Sequence, residues 1–216
     1  MPRDPLIGLI MATRLEAEPF IGGLGLEKLS ERPFVLYGKT DLRLILSGIG
    51  KANAAMACAS FIQQEGPSLI CNLGAAGATQ GVYRLGEGLA IARIIEPDRP
   101  DLANGLPHEH TPQILAGFAG VTLATQDQPI RDAGERQALS HTAALVDMEG
   151  AAVIQTCRYF GTQGFLFKFV SDTPSHTTSH DIRTNIALYR DEFFRFFLKE
   201  VLPRLGETLR GGAQMA

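Results

Sequence analysis

The sequence predicts a three-layer α/β/α domain with a central mixed sheet, and three observations predict it. Residues 6–12 are a continuous apolar run of strand length, and residues 165–171 are a second strand-length run, apolar except for Lys168 and Ser171. Strands covered on both faces read this way, because neither face needs polar residues. In the second half such runs alternate with helical patterns, the sequence form of parallel βαβ units. In the first half, residues 33–39 and 42–47 flank Thr40-Asp41, a two-residue hairpin connection that makes the sheet mixed.

Composition sets the outer limits. At 216 residues the chain suits a single domain, read as residues 1–205 with a frayed, Gly-rich tail at 206–216. A hydrophobic share of 45% and a charged share of 20% are ordinary for a globular chain. A net charge of −3 gives no basic field, so no nucleic-acid partner is expected. Cys58, Cys71 and Cys157 are an odd number, widely spaced, without a CxxC pair. They read as core residues of a reducing compartment, and no disulfide, metal or other cofactor is expected. No apolar stretch approaches the roughly 18 residues of a membrane helix. Residues 6–12 lack the cleavage site of a leader and read as a first strand, so a cytoplasmic protein is expected.

The elements follow in order. After the first strand, Thr13 with Glu16 three residues on has the spacing of a capping box and starts a helix near Arg14. The hairpin comes next, and Gly48 and Gly50 break its second strand. Residues 51–64 form a helix with Ala54, Ala55, Cys58, Phe61 and Ile62 on one face, ended by Gly66-Pro67. Residues 68–73 form a buried strand running into a tight turn at 74–77, and residues 88–95 form another. Residues 96–112 carry four prolines without a period and read as a long loop. Residues 121–125 and 143–148 are short strands, 150–160 a helix, and 165–171 a strand. Residues 181–202 form a long helix with Ile182, Ile186, Tyr189, Phe193 and Phe197 on one stripe.

Ligands of open α/β sheets bind beyond the carboxyl ends of strands. Glu16, Ile49, the run 74–77, Met148-Glu149 and Ser171-Asp172 all fall there. Each has a plain alternative. Glu16 serves equally as a first-turn carboxylate complementing the helix dipole. Gly74-Ala75-Ala76-Gly77 lacks the Lys-Ser/Thr of a triphosphate loop. It is a tight turn or a place where backbone approaches a ligand closely. Glu149 can cap the following helix, or hold two vicinal hydroxyls with one carboxylate. Asp172 can end a turn, or, sheltered from water, act as a general acid. His108 and His110 form an HxH without a third ligand at metal-binding spacing, and His141, His176 and His180 read as surface residues.

Taken together, these segments resemble the 5′-methylthioadenosine/S-adenosylhomocysteine nucleosidases of the nucleoside phosphorylase/nucleosidase superfamily. The carrying stretches are Ile7-Gly8-Leu9-Ile10-Met11-Ala12 with Glu16, Ser47-Gly48-Ile49-Gly50-Lys51, Asn72-Leu73-Gly74-Ala75-Ala76-Gly77, Asp147-Met148-Glu149-Gly150-Ala151-Ala152 and Val170-Ser171-Asp172. The resemblance implies a nucleosidase that hydrolyses the N-glycosidic bond of a 5′-substituted adenosine, without a metal or other cofactor. It makes Glu16 the base that activates water and Asp172 the acid that protonates N7 of the leaving purine. Glu149 would hold the ribose hydroxyls, Met148 would lie against the ribose, and Ile49 would touch the sugar and its 5′ group. Ala75, Ile130 and Ser171 complete the substrate contacts. The family is dimeric, which implies a homodimer here.

The chain departs from the family in the loop around Asn104 to His110 and at three further places. Ala75 stands where Ser is common, Lys168 where bacterial members usually carry Arg, and residues 125–130 where a Phe usually stacks on adenine. The alternatives are a phosphate-dependent nucleoside phosphorylase, for which Arg14 and Arg43 would supply charge, and a nucleosidase for futalosine or a lipid-linked adenosine. A non-catalytic nucleoside-binding protein is the third class.

Overall fold

In a computed structural model of the chain, residues 5–130, 132–176 and 178–213 are described. The elements run β1 (Ile7–Met11), α1 (Arg14–Gly23), β2 (Glu27–Ser30), β3 (Val35–Lys39), β4 (Leu42–Leu46), α2 (Lys51–Glu65), β5 (Leu69–Ala78), β6 (Gly88–Pro100), β7 (Pro107–His110) and β8 (Gly120–Thr125). There follow α3 (Ala133–Leu139), β9 (Leu145–Asp147), α4 (Gly150–Phe160), β10 (Gln163–Asp172) and α5 (Ser179–Phe196). A π-helical turn (Phe197–Val201) leads into α6 (Leu202–Ala213).

β1 shows why the sheet is covered on both faces. Ile7, Leu9 and Met11 pack into one core cluster with Phe20 of α1 and Phe193 of α5. Ile10 points the other way, into a second cluster with Ala54, Cys58 and Phe61 of α2 and Val153 of α4. Successive side chains of a strand face opposite sides, so a strand between two helical layers must be apolar throughout. The sequence expectation of a three-layer α/β/α fold with a mixed sheet holds. All three cysteines are buried and free.

The topology adds a closure that the sequence did not announce. Among the described residues the sheet has ten strands in the order β10-β6-β8-β9-β5-β1-β4-β3-β2, with β7 on β6. β10 also pairs with β5 in parallel, so β5, β10, β6, β8 and β9 close into a ring. β5 makes this possible by its length. Its first residues pair with β1, and its last two, Gly77 and Ala78, pair with β9.

Four expectations change. The run 74–77 is not a turn but the second half of β5. Its small residues leave space that incoming carboxylates take, as described below. Residues 96–112 are not a loop: β6 continues to Pro100 and turns back as β7. β7 pairs with β6 alone, and prolines are tolerated at such an edge because no ladder donor is missed. The tail is helical from Leu202 to Ala213, because Leu202, Leu205 and Leu209 present a stripe to the core that outweighs the glycines. Residues 214–216 lie outside the described residues. The helix expected at 181–202 begins earlier and passes through the π turn. β2 and α3 were not anticipated. β2 is mostly exposed, and α3 carries one large apolar residue, Leu139, so neither has a clear periodic pattern.

Candidate active site

Three carboxylates and a lysine gather where β1, β5, β9 and β10 end. Glu16 closes the expected capping box: its backbone N–H donates to Thr13 Oγ1 at 3.3 Å, and its Oε2 accepts from Thr13 Oγ1 at 2.6 Å and Thr13 N at 3.0 Å. Its other oxygen, Oε1, accepts the Ala75 N–H at 2.8 Å. A side chain on Gly74 would put its Cβ 2.9 Å from that oxygen. The capping and site readings of Glu16 therefore coincide in one side chain, 5% exposed.

At the start of α4 the two readings of Glu149 separate. Asp147 does the capping: its Oδ2 accepts the Gly150 N–H at 2.8 Å, and its Oδ1 accepts from Thr125 Oγ1 at 2.6 Å. Glu149 makes no cap bond. Its Oε1 instead accepts the Gly50 N–H at 2.9 Å, which leaves Oε2 for a ligand. Burial first, and then the nearby charge of Asp147, raise its pKa to about 7. Lys168, 1% exposed, donates to Asp147 Oδ2 at 2.9 Å. Burial alone would lower its pKa, but Asp147, Glu149 and Glu16 around it hold it above the ordinary lysine value.

The other end of the cavity is built on β10. Its register against β5 slips between Val170 and Asp172, so Asp172 stands opposite Gly77. Such bulges re-aim a side chain. A Cβ on Gly77 would lie 2.6 Å from Asp172 Oδ2, so the position must be glycine for the carboxylate to stay. Ser171 Oγ donates to Asp172 Oδ1 at 2.8 Å. Asn185 Nδ2 of α5 donates to the Ser171 carbonyl at 2.9 Å and fixes the bulge.

All eight residues singled out from the sequence border one cavity: Glu16, Ile49, Ala75, Ile130, Met148, Glu149, Ser171 and Asp172. Gln128 and Pro129 form its wall beside Ile130, and Ile182 and Ile186 of α5 face it. Sequence reasoning missed Arg136. Buried on α3, it donates from Nη1 to the Ala78 carbonyl at 2.6 Å and from Nη2 to Asp172 Oδ2 at 2.7 Å. The available signal was Asp132, whose side chain caps α3 through the Gly134 and Glu135 N–H groups.

His110 is buried against Glu96 (2.8 Å), and His108 is half-buried; among the described residues no cluster of His, Cys, Asp or Glu is arranged for a metal. Burial would raise the Glu96 pKa, but hydrogen bonds from His110 and Lys51 bring it down to about 2. Among the described residues no helix is long and apolar enough to cross a membrane.

No protein-family model matches the chain. The 5′-methylthioadenosine/S-adenosylhomocysteine nucleosidase of Staphylococcus carnosus is 29% identical, over 61% of this chain and 68% of its own length. A mutant of the Helicobacter pylori nucleosidase, solved with 5′-methylthioadenosine in its active site, superposes with a TM-score of 0.80 at 19% identity, over 92% of this chain and 100% of that one. A futalosine hydrolase mutant of H. pylori superposes with a TM-score of 0.79 at 18% identity, again over 92% and 100%. In fold the chain is similar to these solved nucleosidases, and in sequence to the curated 5′-methylthioadenosine/S-adenosylhomocysteine nucleosidases.

Proposed function

We propose that the chain hydrolyses the N-glycosidic bond of a 5′-substituted adenosine of the methylthioadenosine or S-adenosylhomocysteine type. The observation that carries this reading is the convergence of Glu16, Glu149 and Asp172 on one cavity from three separate strand ends. Cleavage of a ribosyl bond passes through an oxocarbenium-like state, and paired carboxylates serve it as acid and base. Asp172, once protonated, gives its proton to N7 of the purine. The C1′–N9 bond breaks with its electrons going to the base. Water adds to C1′ and yields its proton to Glu16. Glu149 accepts the ribose hydroxyls on Oε2, and its negative charge stabilises the cationic sugar. Met148 and Ile49 give the sugar and its 5′ group an apolar wall, and Ala75, Ile130 and Ser171 flank the base.

Phosphorolysis needs a cation free to hold phosphate. Arg43 is engaged by Glu65 at 3.2 Å, Lys168 by Asp147, Arg136 by Asp172 at 2.7 Å, and Arg14 is exposed outside the cavity wall. Hydrolysis is therefore favoured. Release of adenine from 5′-methylthioadenosine in phosphate-free buffer tests it; strict dependence on phosphate, with a ribose 1-phosphate product, would overturn it.

We infer a homodimer as well. Ile49 and Met56, 55% and 56% exposed, extend an apolar surface from the cavity along α2, and light scattering of the purified chain reads its mass. Three buried thiols suit the cytoplasm.

A further inference from the structure

We propose that Arg136 is a base-selecting residue that lets the cavity take 6-oxopurine nucleosides alongside 6-aminopurine ones. The inference rests on the reading of Asp172 as the group that meets N7.

Donors and acceptors match along one edge of the base. Asp172 and Arg136 sit side by side, joined through Oδ2 and Nη2 at 2.7 Å, with side chains 6% and 5% exposed. Both border the cavity. The carboxylate accepts hydrogen bonds; the guanidinium only donates, and its planar fork carries five N–H groups. Among the described residues it donates to two oxygens, Ala78 O and Asp172 Oδ2. The protein edge therefore reads acceptor, then donor.

A purine leaving through N7 protonation presents N7–H and, next to it, the substituent on C6. In a 6-aminopurine both groups donate. The carboxylate can accept both, but the guanidinium then faces an amino group and has nothing to donate to. In a 6-oxopurine, N7–H donates and O6 accepts, which complements Asp172 and Arg136 one to one. Electron density released from the breaking C1′–N9 bond spreads to O6, so a fixed cation there gains strength as the bond breaks. A buried Arg whose only task was to hold Asp172 would need no face on the cavity.

The test compares 5′-methylthioadenosine with its deaminated counterpart, 5′-methylthioinosine, and free adenine with free hypoxanthine. We expect the wild-type chain to cleave both nucleosides with kcat/KM values within about tenfold. We also expect it to bind hypoxanthine at least as tightly as adenine by calorimetry. In Arg136→Met, the ratio of kcat/KM for the oxo over the amino nucleoside should fall roughly 10- to 100-fold, the weight of one hydrogen bond to a charged group. Arg136→Lys, which keeps the cation, should recover part of that ratio. Cleavage of the adenosine form alone, or binding of adenine without hypoxanthine, overturns the inference. So does an equal loss on both substrates, which would reduce Arg136 to positioning Asp172. Should Arg136→Met fail to fold, the wild-type comparison of the two bases still decides. Failure to cleave either nucleoside, with both bases bound, would instead overturn the proposed hydrolysis and leave the base selection standing.

Discussion

The two ends of the cavity are built from the same kinds of group in different proportions. Where β1, β5 and β9 end, Glu16, Asp147 and Glu149 surround the single cation Lys168. Where β10 ends, Asp172 meets Arg136 one to one. The first arrangement has more negative charge than it can pair, and burial first, then the charge of Asp147, raise the Glu149 pKa to about 7. The second is a one-to-one pair, with Ser171 bonded to the carboxylate and the Ala78 carbonyl to the guanidinium. On the proposed reading, the excess of negative charge lies beside a sugar that becomes cationic, and the matched pair meets the edge of the base.

Three measurements would break or sharpen this contrast. The largest effect belongs to the β10 end. Asp172→Asn keeps the shape and one accepting oxygen for Arg136 but has no proton of suitable acidity, and the rate of base release should drop about 10²–10⁴-fold. Thermal melting should show a cooperative unfolding at a lowered Tm, since Arg136 loses its counter-charge; a rate near wild type would remove Asp172 from the chemistry.

Lys168→Met probes the crowded end. It leaves buried carboxylates without their cation, and breaking one partner out of a buried ion pair destabilises by about 3–5 kcal/mol. Urea denaturation at neutral pH reads this. A loss below about 1 kcal/mol would mean that the carboxylates are neutralised in another way, and the contrast between the ends would fail.

The smallest effect concerns Glu149. Its pKa is raised on folding, so between its ordinary value and about 7 the folded chain holds a proton that the unfolded chain has lost. Wild-type stability should therefore fall as pH rises through that window and level off above it. Glu149→Gln removes this component. Relative to wild type it should gain on the order of 2 kcal/mol between pH 5 and pH 8. An unchanged difference across that range would show that Glu149 is charged throughout.

The crowded end was legible in the sequence because its parts lie at strand ends and helix starts, which short-range rules identify. The Thr13–Glu16 spacing gave the cap, and the apolar run of β1 placed it at the edge of the sheet. Even there the sequence could not say which of Asp147 and Glu149 caps α4, because both stand at capping distance and packing makes the choice. The other end was half legible. Asp172 follows an apolar strand and could be read, but Arg136 reaches it from a short helix without an apolar stripe, 36 residues earlier in the chain. The closed ring of strands was not legible either. It depends on β5 being long enough to pair with three neighbours, and its small residues at 74–77 look like a turn until carboxylates occupy the space beside them.

Glu16 carries a consequence for descent. It closes the cap of α1 whether or not a substrate is ever bound, and an N-terminal cap is worth about 1 kcal/mol on its own account. A lineage that abandoned catalysis would still be selected to keep this carboxylate, for the sake of the helix. Asp172 ends a strand and caps nothing, and Glu149 yields the capping of its helix to Asp147. Among descendants of this chain, decay of the activity would therefore be written first at position 149, while position 16, and position 172 whose carboxylate neutralises the buried Arg136, went on looking like those of a working enzyme.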